Sequence, residues 1–209
     1  MRFRLTFEGP LKSNQSKRIA KHKHEVRRYF HPQLKNFWNS HVLLSRYRLT
    51  VPYHKISDRP FQGAFGFGLS ENDGQSLEEV ISENKDFSRH KYRFVPLVCE
   101  KFCLQCSLGV LFLREGPPGT LTNGDLDNRL KTLLDALRMP TCNELQNVEG
   151  PGEEENPFFC LLEDDKFITS LSVESDSLLS SEIDQRNYAK VIIEVNIQPI
   201  YSTNFNLGF

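Results

Sequence analysis

Asp125-Leu126-Asp127-Asn128, with Lys131 one helical turn past Asp127, and the later pair Asp164-Asp165 place four carboxylates and one amine in two short segments. Closely spaced acids suit a hard divalent cation. Mg²⁺ takes oxygen ligands in an octahedron and uses a few carboxylates together with water and substrate phosphate oxygens. Two such ions about 4 Å apart can activate a water and stabilise the leaving oxygen of a phosphate ester. A lysine beside them offsets the charge that builds on phosphorus. Without a cation, carboxylates held together repel one another and bind protons more tightly. The spacing alone has blander readings: Asp125 as a helix cap, Asp127 and Lys131 as a surface ion pair, and Asp164-Asp165 as turn residues. The same D-x-D also occurs in metal-dependent sugar transferases, so the flanking elements must carry weight.

Those elements are legible. On a wheel of 100° per residue, Leu126, Leu130, Leu133, Leu134 and Leu137 fall in an arc of about 100° and predict a helix over 125–138 with one buried face. Asp127 and Lys131 lie about 40° apart at the border of that face. Asp125 opens the helix, and Asp164-Asp165 open a strand over 166–174. If that strand packs beside the helix, Asp165 reaches the helix N-terminus and three carboxylates meet.

Further strands are expected at Arg2–Glu8, Lys91–Val98, Phe102–Leu113 and Tyr188–Ile197, each rich in apolar residues. The strands at 166–174 and 188–197 are expected to pair antiparallel through a turn at 175–186. A basic helix runs from Ile19 to about Tyr29, with a kink or a fresh start at Pro32 and an apolar stripe continuing to Leu44. Residues 53–90 and 139–163 read as irregular insertions, the first holding a short helix at Leu77–Ser82. The order implies an α/β (α+β) fold over residues 1–209, a single domain with a small mixed β-sheet covered by helices.

Net charge is -1, but it is unevenly spread. Residues 1–55 carry 13 Lys/Arg against Glu8 and Glu25, and the remainder carries 13 against 25 Asp/Glu. This predicts a polyanion partner for the basic part, with Lys17, Arg18, Lys21, Lys23, Arg27 and Arg28 as the candidate nucleic-acid contacts. The alternative is a basic helix folded over an acidic body. Five cysteines without a secretory leader pattern read as reduced, mostly buried thiols, and no apolar run approaches a membrane span. A cytoplasmic location is the expectation. The six histidines are scattered and offer no metal or catalytic cluster.

Asp125-Leu126-Asp127-Asn128-x-x-Lys131, then Asp135-Ala136-Leu137, then Asp164-Asp165 before a strand, resembles the signature of the RusA-like Holliday-junction resolvases over roughly residues 100–197. The resemblance implies a homodimeric, Mg²⁺-dependent (Mn²⁺ also serving) endonuclease acting on four-way DNA junctions in recombination and repair. Carried over by position, Asp125, Asp127 and Asp165 are metal ligands, Lys131 is the catalytic lysine, Asp164 is a supporting acid and Asn128 fixes the loop or helix start. Two departures stand out. The segment from Leu137 to Asp164 is longer than the family's, and residues 116–124 contain no Lys or Arg, which leaves phosphate contacts to the basic helix. A nucleic-acid-binding module of the same fold, or a nuclease for other DNA or RNA, would share these features.

Overall fold

The computed structural model describes residues 1–14, 19–50, 69–82, 91–114, 126–146, 148–179, 188–202, 206 and 209. Along the chain run β1 (Arg2–Pro10), α1 (Ile19–Ser40), α2 (Val42–Arg46), β2 (Arg48–Leu49), β3 (Leu69–Ser70), β4 (Gln75–Ser76) and α3 (Leu77–Ser82). They are followed by β5 (Phe94–Val98), β6 (Leu104–Arg114), α4 (Leu126–Leu137), β7 (Phe158–Leu162), β8 (Ile168–Ser177) and β9 (Tyr188–Pro199).

Strict alternation builds the main sheet. β6 buries Leu104, Cys106, Leu108, Val110 and Phe112, β9 buries Val191, Ile193, Val195 and Ile197, and β1 buries Leu5 and Phe7. Side chains two apart share a face, so each strand presents an apolar inner side and a polar outer one. The order is β1-β9-β6-β8, antiparallel from β1 to β6, with β8 parallel to β6. The mixed α+β architecture therefore stands as expected. The expected hairpin between the strands at 166–174 and 188–197 does not. β9 lies between β1 and β6, and β8 flanks β6 on its other side. The cause is composition: β9 has an unbroken apolar face that needs neighbours on both edges, whereas Ser-rich β8 is exposed over most of its length and tolerates an outer position.

α1 is the central helix. Against the sheet, Phe37 stacks on Phe3 with ring centroids 4.4 Å apart, Tyr29 and Phe30 meet Phe7, and Gln33 bonds both the N–H and the C=O of Thr6. These contacts run α1 opposite to β1. Its other side meets β7: His31 Nδ1 accepts from Phe159 N–H at 2.9 Å, His31 Nε2–H donates to Glu154 C=O at 2.9 Å, and Trp38 packs on Phe159. β7 and β5 form a separate parallel pair, buried at every position. Residues 139–163 are thus not irregular throughout, because Phe158–Leu162 is a core strand. Pro32 neither ends nor restarts α1; it sits on the exposed side of one continuous helix. On that side the ring displaces nothing in the core.

Cys99, Cys106 and Cys160 are buried free thiols, Cys103 is half-buried and Cys142 is exposed. Burial pushes Cys99, Cys106 and Cys160 up to about 12. His22, His24 and His31 are also core residues. No helix among the described residues is long and apolar enough to cross a membrane.

Candidate acidic site and its basic neighbours

α4 forms as its leucines require. Leu133, Ala136 and Leu137 are buried, with Leu126, Leu130 and Leu134 packed at the margin of the core. Asp127, in the first turn, and Lys131, one turn on, are both exposed. Asp125 lies outside the described residues. The first turn is anchored from the N-terminal part of the chain: Asn14 N–H donates to Asn128 C=O at 3.1 Å, and that carbonyl also accepts from the hydroxyl of buried Thr132. The strap at 11–14, which leads toward Lys17 and Arg18 (both outside the described residues), therefore runs beside the start of α4.

Asp164 and Asp165 are exposed just past β7. Asp164 caps the short 3-10 turn Asp165–Phe167, its Oδ1 accepting from Lys166 N–H at 2.9 Å. That hydrogen bond, then the one with Asp165 and the charges of Lys166 and Arg138, hold its carboxyl below the usual range despite some desolvation. Glu163, just before the pair, uses its carboxylate to accept from Glu100 N–H at 3.0 Å.

The described contacts do not bring the two acidic segments together. α4 runs in the same direction as α1, since Asn128 is level with Asn14, Asp135 with Lys23 and Arg138 with Arg27. α1 opposes β1, and β1 parallels β6, so α4 points back along β6. Asp127 accordingly lies toward the Arg114 end of β6, and the Arg114 charge reaches Arg129 two residues further on. β8 begins level with Cys106, and Met139 N–H donates to Leu162 C=O at 2.9 Å, so Asp164-Asp165 follow at the C-terminal end of α4. Eight residues of β6 separate these levels, about 26 Å of strand. The expectation that Asp165 reaches the helix N-terminus within one chain is therefore corrected; a strand entering the sheet parallel to β6 starts at the wrong end for it. Among the described residues, no three His, Cys, Asp or Glu side chains converge on one metal position.

The basic helix is also recast. Lys21 is exposed. Lys23 is buried, its Nζ 2.6 Å from Asp135 Oδ2. Arg27, only 1% exposed, donates to the carbonyls of Arg138 (3.0 Å) and Asp135 (2.7 Å). Arg28 pairs with Glu155 at 2.8 Å and also donates to Tyr92 Oη and Gly150 C=O. Lys23, Arg27 and Arg28 thus join α1 to α4 and to the 150–155 segment instead of facing a phosphate. Two carboxylates of the acidic run Glu153–Glu155 are spent in the same way: Glu154 pairs with Lys35 at 2.5 Å, and Glu155 takes both Arg28 and Gly152 N–H.

Asp135 closes this system. Burial acts to raise its pKa, but the hydrogen bond and charge of Lys23, with Arg138, hold it below the usual carboxylate range. Arg138 Nη2 sits 2.9 Å from Asp135 and Nη1 3.2 Å from Glu144. The Asp135-Ala136-Leu137 stretch is in this way structural: one ion-paired strut and two core residues.

Two basic residues near Asp127 escaped the sequence reading. Arg129 is half-buried, and desolvation together with the charge of Arg114 lowers its pKa. Like charges brought together beside a helix N-terminus favour an anion. The only signal in the sequence was that Arg129 falls inside the acidic motif itself. A separate cleft of about 260 Å³ opens on α1, lined by Lys21, His24, Glu25, Arg28, Val148 and Glu149, and none of the motif acids borders it.

No protein-family model, curated protein or solved structure matches this chain, so the residues and their placement bear the functional reading alone.

Proposed function

We propose that this chain is a Mg²⁺-dependent, structure-selective DNA endonuclease of the RusA-like kind, hydrolysing phosphodiester bonds in branched DNA during recombination and repair in the cytoplasm. One observation carries the reading. In a helix whose positions 128–130 are half-buried, the motif residues with chemistry to offer, Asp127 and Lys131, are exposed on successive turns, and Asp164-Asp165 are exposed just before a strand. Exposed carboxylates without a buried partner fit a hard, hydrated cation. Asp127, with Asp125 two residues before it in sequence, would hold it at the start of α4; when bound, the ion supplies an activated water and stabilises the leaving oxygen. Lys131 faces the charge that develops on the phosphoryl oxygens, and Arg129 with Arg114 favours the incoming backbone.

The test is cleavage of a fixed four-way junction, with linear duplex as control, by wild type and by Asp127→Asn, each with Mg²⁺, with Mn²⁺ and with chelator. Nicking by wild type that chelator or Asp127→Asn abolishes is the expected result. Branched and linear DNA left intact with both metals would sink the proposal. The separation of the two acidic segments within one chain favours a second reading, a nucleic-acid-binding module that does not cut. Junction binding that survives chelation, without product, would select it.

A further inference from the structure

We infer that His22 is a positioning residue for the start of α4: its neutral imidazole holds the strap at 11–14 against α1, the strap holds the turn that carries Asp127, and protonation of His22 releases both. The effect on cleavage rests on the nuclease reading, and the release of the strap rests on the contacts alone.

Three contacts link the ring to the site. His22 Nε2 lies 3.0 Å from Lys12 N–H and accepts from it. A backbone N–H only donates, so Nε2 carries no proton and the one ring proton is on Nδ1, which faces Glu25 Oε2 at 3.4 Å. Two residues past Lys12, Asn14 N–H donates to Asn128 C=O at 3.1 Å. Asn128 directly follows Asp127, so this bond ties the first turn of α4 to the N-terminal part of the chain. Leu11, fully buried, fixes where the strap leaves the core. Beyond that point the strap is held through the N–H groups of Lys12 and Asn14.

A second proton on the ring reverses the first of these contacts. Two donors then face each other across 3.0 Å, and a cation sits in a side chain only 6% exposed. Both effects are unfavourable, so ring and strap part. The charged groups facing the ring are Glu25 from α1 and Lys12 from the strap. Burial, the larger effect, and the charge of Lys12 lower the pKa of His22, while the bond to Glu25 and its charge raise it. The balance lies below the usual 6.5, so the strap is closed at neutral pH and opens on acidification. After release, Asn128 C=O keeps the hydroxyl of Thr132, and Leu126 and Leu130 stay at the margin of the core. The first turn loosens and the rest of α4 stays. A displacement of about 1 Å near the chemistry costs up to about a hundredfold in rate, so a turn still partly held should lose about tenfold.

The test follows amide exchange by NMR between about pH 5 and pH 8, the range in which histidine titrates, with circular dichroism confirming the fold. In wild type, protection of the Lys12 and Asn14 amides should fall about tenfold along the curve on which the His22 ring titrates. Glutamine offers an oxygen acceptor that does not titrate, so His22→Gln should keep both amides protected throughout. Glu25→Gln should move the wild-type midpoint to lower pH and Lys12→Met to higher pH. Both of these side chains are exposed, so the two variants decide the matter even if His22→Gln does not fold. Cleavage of a four-way junction with Mg²⁺ is measured in parallel, and the rate of wild type relative to His22→Gln should fall about tenfold on the same curve. Protection that stays level through the His22 titration, or midpoints unmoved by Glu25→Gln and Lys12→Met, overturns the strap. Protection that falls while the rate ratio stays flat overturns the positioning role and leaves the nuclease reading intact. A wild type that cleaves nothing at any pH removes the nuclease reading and the positioning role with it, and the strap is then judged on exchange alone.

Discussion

Asp135→Ala should cost stability, although Asp135 belongs to the motif that the functional reading draws on. Its carboxylate sits 2.6 Å from Lys23 Nζ and 2.9 Å from Arg138 Nη2, and the three side chains are 13%, 10% and 18% exposed. Removing the anion from a buried pair costs about 3–5 kcal/mol, because the partner is left charged and dehydrated. Arg138 keeps Glu144 and the Met139 carbonyl, and both cations retain some contact with water, so the lower end applies, about 3 kcal/mol. Alanine returns about 0.5 kcal/mol as the better helix former. The net loss is about 2.5 kcal/mol, or about 6 °C in Tm for a chain of this length. Thermal and urea unfolding of wild type, Asp135→Ala, Lys23→Met and the double variant would measure it. The double variant should recover much of the loss, since removing both charges leaves no unpaired ion. A Tm drop below about 1 °C, or strictly additive single effects, would refute the account of Asp135 as a strut.

Three other outcomes follow from the same contacts. His24, buried against Tyr92 and beside Arg27, has its pKa lowered to about 3, chiefly by desolvation. The unfolded chain therefore binds the extra proton first: stability is full above about pH 6.5 and falls as pH drops toward 3, with about 2 kcal/mol lost between pH 7 and pH 5. Unfolded carboxylates contribute little in that window, and His24→Gln should flatten the urea-midpoint profile there by about that amount. Native-state thiol labelling read by mass spectrometry should modify exposed Cys142 ahead of buried Cys99, Cys106 and Cys160, all three pushed up to about 12; labelling of Cys160 at the rate of Cys142 would contradict the fold around β7. For DNA binding, Lys21→Ala should shallow the slope of log affinity against log salt by about 0.9 if Lys21 touches a phosphate. Arg27→Met should instead lower Tm and leave that slope unchanged in the fraction that folds.

Local pattern reached some of this molecule and not the rest. The leucine spacing of α4, the alternation of β6 and β9, and the short helix at Leu77–Ser82 are one-dimensional signals, written within about a dozen residues. β7 was hidden because Phe158-Phe159-Cys160-Leu161-Leu162 is buried on both faces; a continuous apolar run has no period to read, and it follows a stretch rich in Glu, Gly and Pro. The neighbours of β8 and β9 were hidden because periodicity says which face a strand buries but not which strand lies beside it. The basic face of α1 was misleading for a related reason. Lys23, Arg27 and Arg28 are cancelled by groups more than a hundred positions away, and a charge count along the chain cannot see such pairs.

Those pairings bear on what the acidic site can be. Lys23, Arg28 and Lys35 are neutralised by Asp135, Glu155 and Glu154, so these three do not add to the basic surface that the first 55 residues can offer. Near Asp127, Arg114 of β6 and Arg129 and Lys131 of α4 supply further cations that α1 does not. The parallel entry of β8 puts Asp164-Asp165 at the far end of the same strand. A single chain therefore offers cations with half of the acids at one end and the other half at the opposite end. The end of α4 that carries Asp127 therefore carries neither Asp164 nor Asp165, because the chain enters β8 parallel to β6.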